Sequence, residues 1–310
     1  MKSIKTYSLD KRAALEKLYL AYSKLKKHGW TEKTIYTQTE KINNKNISIP
    51  ILSYKTRKKG KSLWIISGIH GEEPAGPNAI AENINYINKL AEKGIPIILL
   101  PLCNPKGYRK DWRYPGKKNA ASSKEVYDTS ESVGSSEHYL PSLKNPLKPR
   151  MKKPASKEAE AITAHILKLS KEYPPLLVID FHEDKSNTNS YIYSQGKLWA
   201  NDPVAKEIVK ILQKNKIPIQ LNGKTRFKEE IINGIVSNIH DSSIDELLAS
   251  ENIILNNKLA RGPSAKSVIV TETQRSTRIK LKKRIKADSE IILSLEKFWK
   301  TANSISFSNF

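Results

Sequence analysis

The chain has 310 residues and a mass of 35.1 kDa, with 38% hydrophobic and 27% charged residues, which allows a large core and excludes a disordered or fibrous chain. Its 54 Lys and Arg against 31 Asp and Glu give a formal net charge of +23, a surplus that draws anions toward the surface. No stretch reaches the about 18 uncharged apolar residues of a bilayer span, and the start MKSIKTYSLDKRAALEKL has no apolar signal region, so a cytoplasmic protein is expected.

Residues 9–27 place Leu15, Leu18, Tyr19, Tyr22 and Leu25 at helical spacing, which predicts an amphipathic helix. Residues 33–56 read as a polar hairpin turning at NNKN, 43–46. Four short apolar runs follow, SLWIIS (62–67), IPIILLPL (95–102), PLLVIDF (175–181) and SVIVTET (267–273), of the kind found in buried strands. Helical patterns cover 75–92, 156–171, 202–214 and 286–301. Strands alternating with helices predict an α/β fold around a largely parallel sheet. Residues 115–155, rich in Gly, Ser, Lys and Pro, and residues 222–264 read as long inserted loops. No repeat or linker divides the sequence, so a single domain over 1–310 is expected, with an N-terminal helix and hairpin extension over about 1–60.

In an open parallel sheet, ligands bind just past the carboxyl ends of the strands. After SLWIIS stands GIHGEEPAG, with His70 and Glu73; after IPIILLPL comes CNPKGYRKDWRYPG, with Asn104, Arg109 and Arg113. PLLVIDF runs directly into His182, Glu183 and Asp184, and SVIVT ends on Glu272. His70 and Glu73, three apart at a strand-to-helix turn, join His182 to give two nitrogens and one carboxylate. That donor set suits catalytic zinc with an open position. Zinc lowers the pKa of water and polarises a carbonyl; Glu272 is the candidate base and Arg113 the candidate for stabilising an oxyanion. The single cysteine, Cys103, excludes an internal disulfide and a cysteine-built zinc cage.

IHGEEPAG, NPKGYRKDWR, DFH and TET, in this order, resemble the zinc carboxypeptidase family of the HxxE…H type, from about residue 50 to about residue 275. The resemblance implies a mixed sheet of about eight strands between helices. It implies one Zn2+ per chain held by His70, Glu73 and His182, with Glu272 as general base and Arg113 as the transition-state arginine. The acidic helix start at 156–166 looks like the one that precedes the second histidine in many members. The chain departs from the family at Asp128-Thr129-Ser130-Glu131, where members carry Asp-x-Asn-Arg and the Asn and Arg grip the substrate's terminal carboxylate. Asp128 keeps the place of a group orienting His70, but Ser130 and Glu131 do not hold a carboxylate. The expected substrates therefore extend to peptide ends of another shape, amine-bearing groups and amides in branched or acylated molecules. Arg109 is the nearby arginine available to replace the missing one. Residues 222–264 hold no tyrosine, where many members carry one, and His240 is the other obvious proton donor there.

Each assignment has a structural rival. Glu272 has a neighbouring cation in Arg275, Arg113 has Trp112 to pack beside, and Glu72, Glu183 and Asp184 read as supporting or surface groups. His138, next to Glu137 in the long loop, is a further substrate-facing candidate. The expected function is zinc-dependent hydrolysis of an amide bond, most simply in a small peptide or peptide-like substrate. One alternative is an N-acyl amino acid deacylase of the succinylglutamate desuccinylase and aspartoacylase kind, which shares the metal set. Another, of a different class, is a non-catalytic binding protein that uses its basic surface for an anionic partner. The basic stretches at 56–61, 147–154 and 275–286 are dispersed and carry few aromatics, so neither a nucleic-acid nor a membrane partner is expected. The same charge would steer an anionic substrate; the oligomeric state stays open.

Overall fold

The computed structural model describes residues 5–42, 44–116, 132–237 and 239–305, so Asp128, Ser130 and Glu131 lie outside the described residues. Helix α1 (Leu15–Lys27) is followed by strands β1 (Thr31–Ile42) and β2 (Lys45–Lys55), which pair antiparallel as the hairpin expected at 33–56. Strand β3 (Ser62–Ser67) leads into α2 (Ala75–Glu82) and α3 (Ile84–Glu92). The one helical pattern divides into two helices at Asn83, whose amide donates to Ala79 O at 2.8 Å and to Ser289 Oγ at 2.8 Å. Strand β4 (Ile97–Leu100), the short helix α4 (Pro105–Lys110), α5 (Lys157–Ser170), β5 (Pro175–Asp184), β6 (Tyr191–Ser194) and α6 (Pro203–Lys214) come next. Residues 222–264, irregular by sequence, carry β7 (Asn222–Lys224), β8 (Glu230–Ile232), β9 (Ile235–Ser237), α7 (Ile244–Ala249), β10 (Asn252–Leu255) and β11 (Lys258–Arg261). Strand β12 (Ser267–Gln274), α8 (Leu281–Leu293) and α9 (Leu295–Ser304) close the order.

Ten strands of the described residues form one sheet in the order β1-β2-β4-β3-β5-β12-β6-β9-β8-β7, and β10 pairs with β11 apart from it. Its centre, β4-β3-β5-β12, is parallel, while antiparallel pairings dominate the flanks. All residues of β3, β4 and β5 are buried, which is why these runs are continuously apolar rather than alternating. Alternation instead sorts them between two cores. Ile65, Ile97, Leu99, Ile179 and Ile269 pack under α1, α2, α3, α6, α8 and α9, and Trp64, Ile66, Ile98, Leu100, Val178 and Val268 pack under α5 and α7. Each such side chain contributes roughly 1.5–3 kcal/mol when fully buried. No helix among the described residues is long and apolar enough to cross a membrane.

The register fixes where chemistry can begin. Ser67 lies level with Phe181, and Phe181 with Thr271. His182 and Glu272 are therefore partners in the next row, at the level where β3 gives way to the turn that carries His70.

Candidate metal centre

The turn from β3 to α2 brings His70 and Glu73 together. Its backbone closes with Glu73 N donating to His70 O at 3.2 Å, and Gly71 lets α4 cross directly over it: a Cβ there would stand 2.1 Å from Gly107 C and 2.2 Å from Tyr108 N. His70 Nδ1 lies 2.9 Å from Glu73 Oε1, and His182 Nδ1 lies 3.0 Å from Glu73 Oε2. The two Nδ1 atoms are 3.1 Å apart. Ligand atoms around a tetrahedral zinc with bonds of about 2.0–2.1 Å stand roughly 3.3 Å from one another, so these residues fit the ion. His70, Glu73 and His182 each offer a ligand atom to one point.

The electrostatics suit a cation. Burial, with Arg113 adding to it, pulls the His70 pKa down to about 4 against the opposing pull of Glu73. Burial also opposes charge on Glu73, yet His70 and His182 outweigh it and hold its carboxyl well below the usual range. The Glu73 charge is thus in place for a metal and His70 is neutral, whereas at His182 burial is outweighed by Asp180 and Glu73, which raise its pKa, so metal binding there would release a proton. Glu272, in the row beside His182, has its pKa raised by burial and by repulsion from Glu73 and Asp184, with His182 and Arg113 opposing.

Arg113 reaches the same point from the loop after α4. Its Nη1 lies 2.9 Å from Glu73 Oε1 and 3.5 Å from Glu72 Oε1. The loop is anchored by Asn104, which caps α4 through Gly107 N at 3.0 Å and donates from Nδ2 to Arg113 O at 3.1 Å. Gly71 N donates to the same carbonyl at 3.2 Å, so the arginine loop and the ligand turn are tied together. Asn104 thus acts on the backbone of Arg113. Glu72 is a junction of ion pairs: Lys185 Nζ reaches it at 2.8 Å and Arg275 Nη1 at 3.3 Å, beside Arg113. Arg275 also pairs with Asp111 at 2.9 Å, which commits it to these two rather than to Glu272.

The other candidates fall elsewhere. Arg109 pairs with Glu40 and donates from Nη1 to Lys5 O at 2.8 Å. His138 rests against α5, its Nε2 3.4 Å from Thr163 Oγ1, with its ring 4.2 Å from that of Tyr139. His240 pairs with Glu246 Oε1 at 3.0 Å. Glu183 points to the opposite face from His182, accepting from Ala75 N at 2.9 Å at the start of α2 and pairing with Arg284. Two groups missed by sequence reasoning stand near the centre. The Tyr114 ring meets the His70 ring edge-on at 6.4 Å, and Tyr191 is the β6 partner of Glu272, its hydroxyl donating to Asp184 Oδ2 at 3.1 Å. The only signal for Tyr114 was its place beside Arg113; that for Tyr191 was a strand too short to read from pattern.

A family model described as zinc carboxypeptidase matches residues 31–253. No curated protein matches the chain. Among solved structures, a candidate metallopeptidase of Shewanella amazonensis SB2B superposes with a TM-score of 0.64 at 19% identity, covering 91% of each chain. Another, of Shewanella baltica OS155, gives 0.64 at 18% identity over 95% of this chain and 96% of that one. Bovine thrombin-activatable fibrinolysis inhibitor, solved with tick carboxypeptidase inhibitor, gives 0.58 at 12% identity over 95% and 98%. These likenesses establish the fold, and the family match spans most of the sequence: the chain belongs to the zinc carboxypeptidase family and is a zinc metallopeptidase.

Proposed function

We propose that this metallopeptidase hydrolyses an amide bond at the end of a peptide or peptide-like molecule, with one zinc ion held by His70, Glu73 and His182 and with Glu272 as general base. The observation that carries this reading is the meeting of both Nδ1 atoms with the two oxygens of Glu73 at 2.9–3.1 Å, one strand from Glu272. Bound zinc supplies a Lewis acid that polarises the scissile carbonyl and acidifies water. Glu272 accepts the proton released on attack and returns it to the leaving amine; a carboxyl held above its ordinary range is suited to both transfers. Arg113, beside Glu73 and Glu72, offers its guanidinium to the negative charge that develops on the carbonyl oxygen. With Ser130-Glu131 where the family resemblance places a carboxylate grip, the substrates extend beyond free C-termini to peptide ends of another shape and to acylated or branched amides.

Elemental analysis of protein purified without chelator or nickel, followed by a panel of free and C-terminally blocked peptides and N-acyl amino acids, tests the reading. About one zinc per chain and cleavage of peptides is the expected result. Absence of zinc uptake overturns the metal assignment, and turnover confined to acyl amino acids replaces the peptidase reading with a deacylase.

A further inference from the structure

Behind His182, on the side away from Glu73, two carboxylates are buried for which the chemistry above has no use. Strand alternation places Asp180 on the same face as His182, two rows below it. Asp180 is fully buried, and Asp245, near the start of α7, is 4% exposed. Asp180 Oδ2 lies 3.3 Å from His182 Nε2. Beyond that contact neither Asp180 oxygen meets a donor among the described residues, and neither does Asp245 Oδ1. One atom each from Asp180, His182 and Asp245 fall within 4.8 Å of one another. Val178, Val268, Ile244, Leu247 and Leu248 belong to the core on this side of the sheet, while the other charged groups that bear on Asp245 are Asp241 and Glu272.

Buried charge is expensive unless it is paired. Asp180 faces the ring of His182, whose Nδ1 is turned to Glu73 and His70. A ring that gives Nδ1 to a metal carries its proton on Nε2, and the acceptor of that proton fixes both tautomer and ring angle. We infer that Asp180 is the positioning residue of His182, accepting its Nε2–H, with Asp245 of α7 standing beside the pair rather than acting on the ring. Helix α7, which packs on β5 and β12, carries Asp245 to this place. The inference rests on the zinc reading proposed above.

The test uses the full chain and zinc alone. The dissociation constant is measured by competition with a chromophoric chelator for the wild type, Asp180→Asn and Asp245→Asn, with thermal melts to confirm folding. Asp180→Asn is expected to weaken zinc binding by about 10–100-fold. Asp245→Asn, whose amide still offers a donor to Asp180, is expected to stay within about threefold, since the acceptor of the His182 proton is untouched. Wild-type affinity in Asp180→Asn, or equal losses in both variants, overturns the inference; a pair that only fills the core predicts equal losses. Failure of the wild type to bind zinc overturns the metal reading itself, a separate outcome. Should Asp180→Asn not fold, the ring nitrogens of His182 in zinc-loaded wild type decide by NMR. A slowly exchanging, downfield Nε2–H supports the inference, and a ring bound to zinc through Nε2 overturns it.

Discussion

The two halves of the centre are built differently. His70, Glu73 and Arg113 sit on turns, held by contacts from backbone to backbone and from side chain to backbone, such as Gly71 N and Asn104 Nδ2 on the Arg113 carbonyl. His182 and Glu272 sit inside paired strands, where the ladder sets their spacing. A turn places donors three residues apart at one point, which a strand cannot do because neighbouring side chains alternate faces. A pair of strands holds two side chains of one row at a fixed separation, which a turn does less rigidly. The centre needs the first property for His70 with Glu73 and the second for His182 with Glu272.

The sharpest way to break the strand half is at Glu272. Changing Glu272→Gln preserves shape and the ladder, so zinc content and melting temperature should stay near wild type while turnover falls by about 10²–10⁴-fold. Activity within tenfold of wild type would remove Glu272 as the base. Its burial sharpens the same point through pH. The base must be ionised to accept a proton, so kcat/KM rises with pH through its pKa and is lost below it. Because the Glu272 pKa is raised, the acid limb should lie above the about 4.3 of an ordinary glutamate. A limb at or below that value in the wild type contradicts the placement.

The turn half breaks at Gly71. A methyl group there meets the backbone of Gly107 and Tyr108 at 2.1–2.2 Å, which neither side can relieve by a rotamer change. Gly71→Ala should destabilise the protein by about 1–3 kcal/mol and displace the ligand turn from α4, lowering turnover by up to about 10²-fold. A melt and kinetics as in wild type would show that the turn is not held by this contact.

The ligand turn was legible because a short motif carried it: His70 and Glu73 lie within one turn, after a run that could only be a buried strand. His182 and Glu272 were legible as strand ends, but their shared row was not, since pairing register depends on the whole sheet. Residues 222–264 defeated pattern reading because β7, β8 and β9 are three residues each and exist through their partners rather than through periodicity. Asn104 was read as near the chemistry, and it is, but as the cap of α4 and the anchor of a carbonyl. Sequence spacing does not separate a side chain that touches substrate from one that holds the backbone of its neighbour.

That distinction gives a smaller, cleaner prediction. Asn104→Ala removes the α4 cap, worth about 1 kcal/mol, and one of two donors to the Arg113 carbonyl, while Gly71 N remains. Turnover should fall on the order of tenfold through the misplaced arginine, with zinc content unchanged. Unchanged kinetics would confine Asn104 to stability.

The smallest effect on turnover is expected at Arg109, and it bears on the substrate. Its guanidinium is engaged by Glu40 and the Lys5 carbonyl, on the side of α4 that faces β1 and the N-terminal segment. Glu40 keeps Lys110 as a partner if Arg109 is removed, so no charge is stranded in a dry site. Arg109→Ala should therefore cost no more than about 1–3 kcal/mol of stability and leave kcat/KM within about threefold, as a group remote from the reacting atoms does. A rise in KM confined to substrates with a free carboxylate, with kcat unchanged, would instead show lost uniform binding. It would make Arg109 the stand-in for the missing carboxylate grip, and the turn half of the centre would then extend through α4 to the substrate itself.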